Sequence, residues 1–545
     1  GVGTTNATAE LNAVRAAFAQ WQAVPGSILK FEDAGLVAPG VDVNPYDDTN
    51  VIFWARTSTL VGGGTDDISG LTGVTYFSYW DDNVLAGADI VFNGVQFRWF
   101  SDYFDTVNAG YFVEAVATHE IGHFIGLHHS PVGGATMLAR GPGGVTNSQA
   151  GLSSDEIAAV HFLYPKPATP LTLGTVHGLV TMNGVGILSA AVIAEDTAGN
   201  VVNGTVTDSN GVYELAALPP GNYQVRVVPL DPAGATSFLI RGADIFSGDA
   251  NAETDFLPTR NTPVTVTAGQ VTFQSFAVSN GTPAFRITRV RPPSASPTFF
   301  TIMNSPVTVR VGQSNYFVGV YGPGLPSDAT LTITGDGLAV GPTTFTANAF
   351  PGYNLLSVSI GVSSNATPGL RSFVVTEGTN LAYANGWLKI QPTFPDWNFD
   401  GINDRFQRLY FAPWTAPEDA GPYAQALYAW WQQYFPPWAG PESGPNADPD
   451  GDNFVNLSEY VAGTDPTNAA SVLKLDSVTM TSSGSTVTWE SVPGKTYQLF
   501  GRDDVVNSPW QAVGGPVTAN GSTAQAVDAG ATNNFRFYTV QVLAQ

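Results

Sequence analysis

Residues 118–130 read Thr118-His119-Glu120-Ile121-Gly122-His123-Phe124-Ile125-Gly126-Leu127-His128-His129-Ser130, and they hold four of the six histidines of the chain. His119 and His123 are four residues apart, so on a helix their imidazoles project from one face and can bind one ion. Glu120 lies on the adjoining part of that face, where it can reach a metal-bound water rather than the metal. The spacing therefore predicts a zinc site on a helix, with a carboxylate beside it.

The second half of this stretch predicts how a third ligand reaches the same ion. Gly126 permits a left-handed turn that ends the helix and reverses the chain. The reversal can bring His129 round to the two helical histidines, and Met137 follows a short loop later. His128 is an alternative ligand, although the glycine-to-histidine spacing favours His129. A chance match is the alternative for the whole motif, but five positions at set spacing favour a zinc site.

The complete pattern His-Glu-x-x-His-x-x-Gly-x-x-His is the metzincin protease signature. The chain resembles the matrixins within that group over residues 5–165, because Ser130 follows the third histidine, Ala135-Thr136-Met137 resembles the Met-turn, and residues 152–164 resemble the final helix. The resemblance implies an α+β catalytic domain in residues 1–166. It also implies that His119, His123 and His129 bind zinc. Glu120 would then be the general base that later donates its proton, and Met137 would form an apolar floor under the metal.

The chain departs from the animal matrixins in features that limit the analogy. No histidine precedes His119, so the usual second zinc site cannot form, and no cysteine can hold the zinc latent. Residues 138–144 do not match the family's specificity-pocket wall, so the side-chain preference stays open. The first strand expected before the initial helix is also missing from the start of this sequence. The plainer bacterial matrixin-like peptidases are the better match.

Local patterns predict the elements of this first domain. The initial helix has an amphipathic pattern, and Ser153 with Glu156 forms a capping box at the start of the closing helix. Strand 73–80 is expected to be the edge on which an extended peptide substrate pairs, with plain core packing as the alternative. The predicted helices cover residues 6–24, 111–125 and 153–164, and the predicted strands cover residues 50–56, 73–80 and 88–93.

Composition restricts the class of protein. A chain of 545 residues is too long for one core and predicts three to five domains. The net charge of -24 opposes binding to nucleic acid or anionic membranes and suits calcium. No apolar run is long enough to span a membrane, and the chain starts at Gly1 rather than methionine. We expect a secreted, extracellular product whose signal peptide has been removed.

Short strands and frequent turns predict all-β sandwich domains after residue 170. Residues 171–282 resemble a carboxypeptidase-regulatory-like β-sandwich, for which a spacer or binding role is the default interpretation. Residues 283–392 loosely resemble an immunoglobulin-like sandwich of bacterial surface proteins. Residues 471–545 form a last predicted β-domain without an assigned function.

Residues 393–470 predict a small helical segment with two calcium loops. They resemble the loops of thrombospondin type 3 repeats and dockerins, with Asn453 where glycine is usual. Tyr423 to Phe435 is predicted to be an aromatic helix between the loops. Solvated acidic turns are the alternative. The predicted calcium ligands are Asp396, Asn398, Asp400 and Asp404 in the first loop and Asp448, Asp450, Asp452, Asn456 and Glu459 in the second.

Two functions from different classes follow. The first is a secreted zinc endopeptidase that acts on a protein or peptide substrate, with β-domains that attach it to a substrate or surface. The second is an extracellular adhesin or self-assembling filament in which the protease domain is structural or self-processing. Exposed strand edges could then accept a strand from a neighbouring subunit.

Overall fold

The computed structural model contains two compact units, residues 1–393 and residues 394–545. In the part of the chain that the structure describes, both units contain more strands than helices. Among the described residues, no helix combines the length and apolar character needed to cross a membrane. The described residues are 7–37, 40–47, 49–80, 84–102, 110–139, 150–231, 240–245, 255–298, 300–303, 305–392, 396–399, 404, 448–465, 467–481, 484–504, 508–531 and 536–543.

The first part of unit 1 contains three helices and seven strands within the described residues. The predicted amphipathic helix, the helix that carries His119 and His123, and the closing helix all form. The elements are α1 (Ala7–Gln22), β1 (Ile52–Ala55), β2 (Leu60–Val61), β3 (Asp66–Asp67), β4 (Gly73–Tyr79), β5 (Leu85–Asn93), β6 (Trp99–Phe100), β7 (Tyr111–Phe112), α2 (Val113–Phe124) and α3 (Ser154–Leu163).

A three-stranded sheet and two helices position the histidine stretch. The strand order is β1-β5-β4, with β1 parallel and β4 antiparallel to β5, so β4 lies at an edge of this sheet as described. Helix α2 packs on α1, where the Trp21 indole donates to the Thr118 carbonyl at 2.9 Å. Val113, Ala117 and Ile121, spaced by four residues, form the fully buried stripe of α2.

The next part of unit 1 is a β-sandwich, as the strand pattern predicts. Strand β8 is central to one of its sheets, in the order β12-β8-β17-β14. The elements are α4 (Thr169–Thr172), β8 (Gly174–Met182), β9 (Val185–Gly186), β10 (Ala190–Glu195), β11 (Val201–Val206), β12 (Val212–Leu218), β13 (Gly221–Pro229), α5 (Gly242–Ile245), β14 (Phe256–Leu257), β15 (Thr262–Val266), β16 (Val271–Phe273) and β17 (Phe276–Asn280).

A second β-sandwich completes unit 1. A five-stranded sheet with the order β18-β20-β24-β22, to which β23 also pairs, forms one of its layers. The elements are β18 (Arg289–Ser294), β19 (Val307–Arg310), β20 (Tyr316–Gly322), β21 (Thr330–Ile333), β22 (Leu338–Val340), β23 (Thr344–Phe350), β24 (Tyr353–Val362), β25 (Gly369–Glu377) and β26 (Asn380–Gln391).

One eight-stranded sheet runs through both sandwiches, in the order β15-β13-β10-β11-β25-β26-β19 with β21 on β25. The change of sandwich occurs between β11 and β25, where Val201 pairs with Leu370. A buried ion pair supports this sheet, since the Arg226 guanidinium lies 2.7 Å from Glu195. Arg226 also donates to Ser372 at 2.8 Å, so the polar network includes both sandwiches. The two predicted sandwiches therefore share a sheet, which periodicity along the chain does not reveal.

Unit 2 contains an acidic loop, a short helix and two three-stranded sheets among its described residues. The sheet orders are β27-β28-β31 and β30-β29-β32, and their inner faces bury Trp489 and Tyr497. The predicted aromatic helix at residues 423–435 lies outside the described residues. The elements are α6 (Asn456–Ala462), β27 (Leu475–Thr481), β28 (Gly484–Glu490), β29 (Thr496–Arg502), β30 (Gln511–Thr518), β31 (Thr523–Asp528) and β32 (Phe537–Leu543).

Candidate metal centres

Helix α2 ends where the sequence predicts a reversal of the chain. Gly126 has a φ of +92°, which is the left-handed conformation that glycine adopts without strain. The amide of Gly126 donates to the His123 carbonyl and that of Leu127 to the Gly122 carbonyl, each at 2.9 Å. These two bonds form a Schellman motif, which satisfies the last carbonyls of the helix. The chain that leaves it can therefore double back beside α2.

The reversal places His129 next to the two helical histidines. The ligand nitrogens of His119, His123 and His129 all lie within 4.8 Å of one another. The Nε2 atoms of His123 and His129 are 3.2 Å apart, close to the roughly 3.3 Å that two imidazole ligands show on one tetrahedral zinc ion. His128 is exposed and lies outside this group. The structure thus assembles the three predicted zinc ligands.

Each of the three imidazoles is oriented through its Nδ1 atom by a backbone carbonyl. His119 Nδ1 bonds to the Thr136 carbonyl and His123 Nδ1 to the Leu127 carbonyl, each at 2.7 Å. His129 Nδ1 bonds to the Asp244 carbonyl at 2.5 Å. A carbonyl only accepts, so each Nδ1 carries the hydrogen and each Nε2 keeps a lone pair. Metal-binding histidines are typically oriented in this way.

Burial keeps these imidazoles in the neutral form that a metal requires. Desolvation, followed by the neighbouring imidazoles, holds the pKa of His119 well below its usual value. Desolvation and His129 lower the pKa of His123 to about 4. The pKa of His129 is lowered as well, mainly by burial. Three neutral imidazoles with convergent lone pairs fit a zinc ion.

Glu120 lies beside the histidines, with its carboxylate against strand β4. The Thr75 hydroxyl lies 2.8 Å from Oε2 of Glu120 and 2.9 Å from its carbonyl oxygen. Burial raises the pKa of Glu120 to about 7, although the bond from Thr75 acts in the opposite direction. A Cβ on Gly73 would lie 2.6 Å from the carboxylate, so a larger residue there would displace Glu120 from this position. A buried carboxyl with this pKa can accept and return a proton near neutrality.

Met137 packs beneath the histidine helix without contributing to the histidine group. A Cβ on Gly122 would lie 2.1 Å from the Met137 sulfur, so the glycine makes room for this side chain. The Met137 amide donates to Glu156 Oε1 at 2.9 Å. Glu156 also closes the predicted capping box with Ser153 at the start of α3. The closing helix therefore holds the methionine turn in place.

The sequence pattern does not predict two residues that contribute to this site. Asp244 contributes a backbone carbonyl from 115 residues away, and every residue type has that carbonyl. Thr75 stands in a strand that the pattern predicts, but nothing in its spacing relates it to Glu120. The register of β4 against α2 decides that contact.

A second candidate centre lies in the acidic loop before α6 in unit 2. Oxygen atoms of Asp448, Asp450 and Asp452 lie within 4.8 Å of one another. Both oxygens of Asp448 accept backbone amides, from Gly451 at 2.8 Å and from Asn453 at 2.9 Å. Asn453 has a φ of +75°, the left-handed conformation that its position in the loop requires. The backbone therefore wraps around the first aspartate.

Buried carboxylate oxygens in this loop lack hydrogen-bond partners within the described residues. They are Oδ2 of Asp450, Oδ2 of Asp452 and Oε2 of Glu459. Glu459 is 1% exposed, and burial and the charge of Asp450 raise its pKa to about 7. Buried acceptors without donors are costly, so these oxygens fit a bound cation. Asn456 begins α6, and its side chain lies outside the described atoms.

The first predicted calcium loop is described only in part. Asn398 and Asp404 are buried, and the Asp404 carboxylate accepts the Trp397 amide at 3.1 Å. Asp396 is half-buried, and Asp400 lies outside the described residues. The described residues give no common site for these four side chains.

Comparison with known proteins identifies two segments of the chain. Residues 3–165 match the family model of the matrixins, and residues 175–279 match that of the carboxypeptidase regulatory-like domain. Comparison with curated proteins found no relative above the significance threshold.

Solved structures align with parts of the chain at low similarity. The Bacillus anthracis TIE protein is 14% identical, with 41% of this chain and 34% of that chain covered and a TM-score of 0.15. The minor pilin GBS52 of Streptococcus agalactiae is 12% identical, with 21% and 46% covered and a TM-score of 0.14. BcpA, the major pilin subunit of Bacillus cereus, is 13% identical, with 41% and 69% covered and a TM-score of 0.16. The chain thus spans less than half of the first two proteins.

At these identities and TM-scores, the alignments do not indicate a function for the chain. The chain combines a segment that matches the matrixins with one that matches the carboxypeptidase regulatory-like domain.

Proposed function

We propose that the chain is a zinc-dependent endopeptidase whose ligands are His119, His123 and His129. The observation that carries this proposal is the convergence of three neutral imidazole nitrogens beside the buried carboxyl of Glu120. The match of residues 3–165 to the matrixins supports the same reaction class.

The residues around the histidines have separate tasks in peptide hydrolysis. A bound zinc ion supplies Lewis acidity and a more acidic water. Glu120 accepts the proton of the attacking water at its carboxylate and returns it to the leaving amine. Thr75 holds that carboxylate against β4. The edge of β4 that has no partner strand among the described residues pairs with the extended backbone of the substrate. Met137 is the apolar floor of the site.

Calcium is the proposed ligand of the acidic loop, where it has a structural role. Buried oxygens of Asp450, Asp452 and Glu459, together with Asp448, support this assignment. Asn456 is the remaining proposed ligand of this loop, and Asp396, Asn398, Asp400 and Asp404 are those of the first loop. The net charge of -24 favours calcium binding.

We also propose an extracellular location, because calcium-binding modules with a structural role occur in extracellular proteins, where they bind calcium with dissociation constants of about 10⁻⁴–10⁻³ M. The β-domains then attach the enzyme to a substrate or surface, or to further copies of the chain.

A cleavage assay with measured zinc content tests the enzymatic proposal. Glu120→Gln keeps the size and the hydrogen bond to Thr75 but cannot take up a proton, so cleavage of a protein substrate should fall by about 10²–10⁴-fold. Its zinc content should equal that of the native chain. Glu32→Gln, at an exposed glutamate, is the matched control and should leave both unchanged.

Two outcomes would overturn this function. One is a native chain that holds no zinc, and the other is a Glu120→Gln variant that cleaves as fast as native. A native chain that holds zinc, cleaves nothing and forms long polymers in size-exclusion chromatography would favour the adhesin or filament.

A further inference from the structure

An insertion between β13 and β14 of the first sandwich contacts the histidine site through Asp244. Its described residues are 230–231, 240–245 and 255, and residues 242–245 form α5. Ile240 and Ile245 are 7% and 5% exposed, and they belong to the same apolar cluster as Leu138, the neighbour of Met137. The insertion is therefore anchored at both ends of this described segment, next to the methionine turn.

A local ion pair holds the helical turn α5 in the described part of this insertion. The Arg241 amide donates to Asp244 Oδ2 at 2.8 Å, and the Arg241 guanidinium lies 2.8 Å from Oδ1. At the base of the segment, the Asp231 amide donates to the Ile240 carbonyl at 2.8 Å. These contacts define the direction of the Asp244 carbonyl, which faces Nδ1 of His129.

His129 depends on an outside partner more than the other two histidines do. His119 and His123 project from a regular helix, so the backbone already directs their rings. Their accepting carbonyls, on Thr136 and Leu127, are 17 and 4 residues away. His129 follows the helix end, and its accepting carbonyl is supplied by the sandwich. That carbonyl sets the orientation of the ring and places the hydrogen on Nδ1.

The chain that follows His129 is also packed on the sandwiches. Asp155 at the start of α3 accepts the Ser130 hydroxyl on one oxygen and the Gly204 amide of β11 on the other, both at 2.7 Å. The Gly133 amide donates to the Asn385 carbonyl of β26 at 2.8 Å. A Cβ on Gly133 would lie 2.2 Å from the Trp387 ring. Residues 130–138 are buried throughout.

We propose that Asp244 is a positioning residue whose backbone carbonyl holds His129 as the third zinc ligand, so that the first sandwich completes the metal site. This inference rests on the proposed zinc site and adds that the segment matching the matrixins does not form that site alone.

Substitution after the carbonyl tests the proposal in the full chain. Proline at position 245 disfavours the helical conformation of residue 244 and turns its carbonyl away from His129. Ile245→Pro should weaken zinc binding, measured by chelator competition, by about 10–100-fold. Ile245→Ala is the matched control, because it removes the buried side chain and leaves the carbonyl in place. Its zinc affinity should stay within about threefold of native.

Cobalt(II) in place of zinc provides a second readout that a merely structural role would not change. The visible absorption bands of the cobalt form report the ligand geometry. They should shift in Ile245→Pro and match native in Ile245→Ala. Native-like zinc affinity and cobalt bands in a folded Ile245→Pro variant would overturn the proposal.

A further variant keeps the proposal testable if Ile245→Pro does not fold. Arg241→Ala removes the ion pair that closes the turn, and it should weaken zinc binding by roughly three- to tenfold. Unchanged affinity in that variant would overturn the proposal.

Zinc binding and protein cleavage together distinguish a wrong enzymatic function from a wrong role for Asp244. A native chain that binds zinc but cleaves no protein removes the enzymatic function and leaves the affinity test readable. A native chain that cleaves protein, with variants that bind zinc as tightly as native, removes only the inference. A native chain that binds no zinc contradicts both.

Discussion

The histidine site of unit 1 and the acidic loop of unit 2 gather metal-binding groups in different ways. The histidine site takes its orienting carbonyls from positions 127, 136 and 244. The acidic loop takes its oxygens from residues 448 to 459, and its backbone amides turn inward on Asp448. The first site depends on tertiary packing, whereas the second is encoded within a few turns of chain.

Because of this difference, the two sites should respond differently when no metal is bound. The imidazoles are neutral and already bonded to carbonyls, so the histidine site is prepared for its ion. The acidic loop has buried carboxylates against one another, so it is under electrostatic repulsion until a cation arrives.

The largest change in metal affinity should follow the loss of one ligand, and it should be confined to the site that loses the ligand. His123→Ala should lower zinc affinity by more than the roughly 100-fold that loss of an outer partner costs. It should leave calcium affinity unchanged. Asp450→Asn should lower calcium affinity on the order of tenfold, because the loop loses one ligand charge, and leave zinc affinity unchanged. Isothermal titration with each metal checks both. A loss of calcium binding in His123→Ala would show that the two sites do not bind their metals independently.

An intermediate effect is the pH dependence of the acidic loop. The pKa of Glu459 is raised from 4.5 to about 7 in the folded chain, so the folded state holds this proton more tightly than the unfolded state. The contribution to stability is therefore present below about pH 4.5 and is lost as the pH rises to about 7. In a calcium chelator at pH 8, Glu459→Gln should melt at a higher temperature than native. The two should converge at pH 4.

Calcium should reverse this order at pH 8, because the ion binds the ionised carboxylate. Asp476→Asn, at an exposed aspartate of β27, is the control and should follow native at each pH. If Glu459→Gln has a lower melting temperature than the native chain in chelator at pH 8, the ionised Glu459 does not destabilise the loop.

The smallest expected effect concerns the carboxylate of the histidine site. The hydrogen bond from Thr75 lowers the pKa of Glu120, so Thr75→Val should raise this pKa and move the acidic limb of kcat/KM to higher pH. At neutral pH, kcat/KM should fall roughly three- to tenfold. Thr332→Val, on an exposed part of β21, should leave the pH profile unchanged. A native profile in Thr75→Val would show that the hydroxyl does not act on the carboxylate.

Local sequence patterns predicted three features that the structure contains. The Schellman end at Gly126, the capping box of Ser153 and Glu156, and the left-handed Asn453 all depend on neighbouring residues, and all occur in the structure. The shared eight-stranded sheet could not be predicted, because the pairing of Val201 with Leu370 joins strands far apart in the chain.

The candidate metal-binding side chains could be predicted from the sequence, because helical and loop spacings set them on one face or around one turn. The contacts that orient His119 and His129, with carbonyls 17 and 115 residues away, follow from the tertiary structure. Any residue can supply a backbone carbonyl, so the role of Asp244 leaves no mark in the sequence. Its contact with His129 exists only because the sandwich packs against residues 130–138, and packing between distant segments follows from the shape of the whole unit.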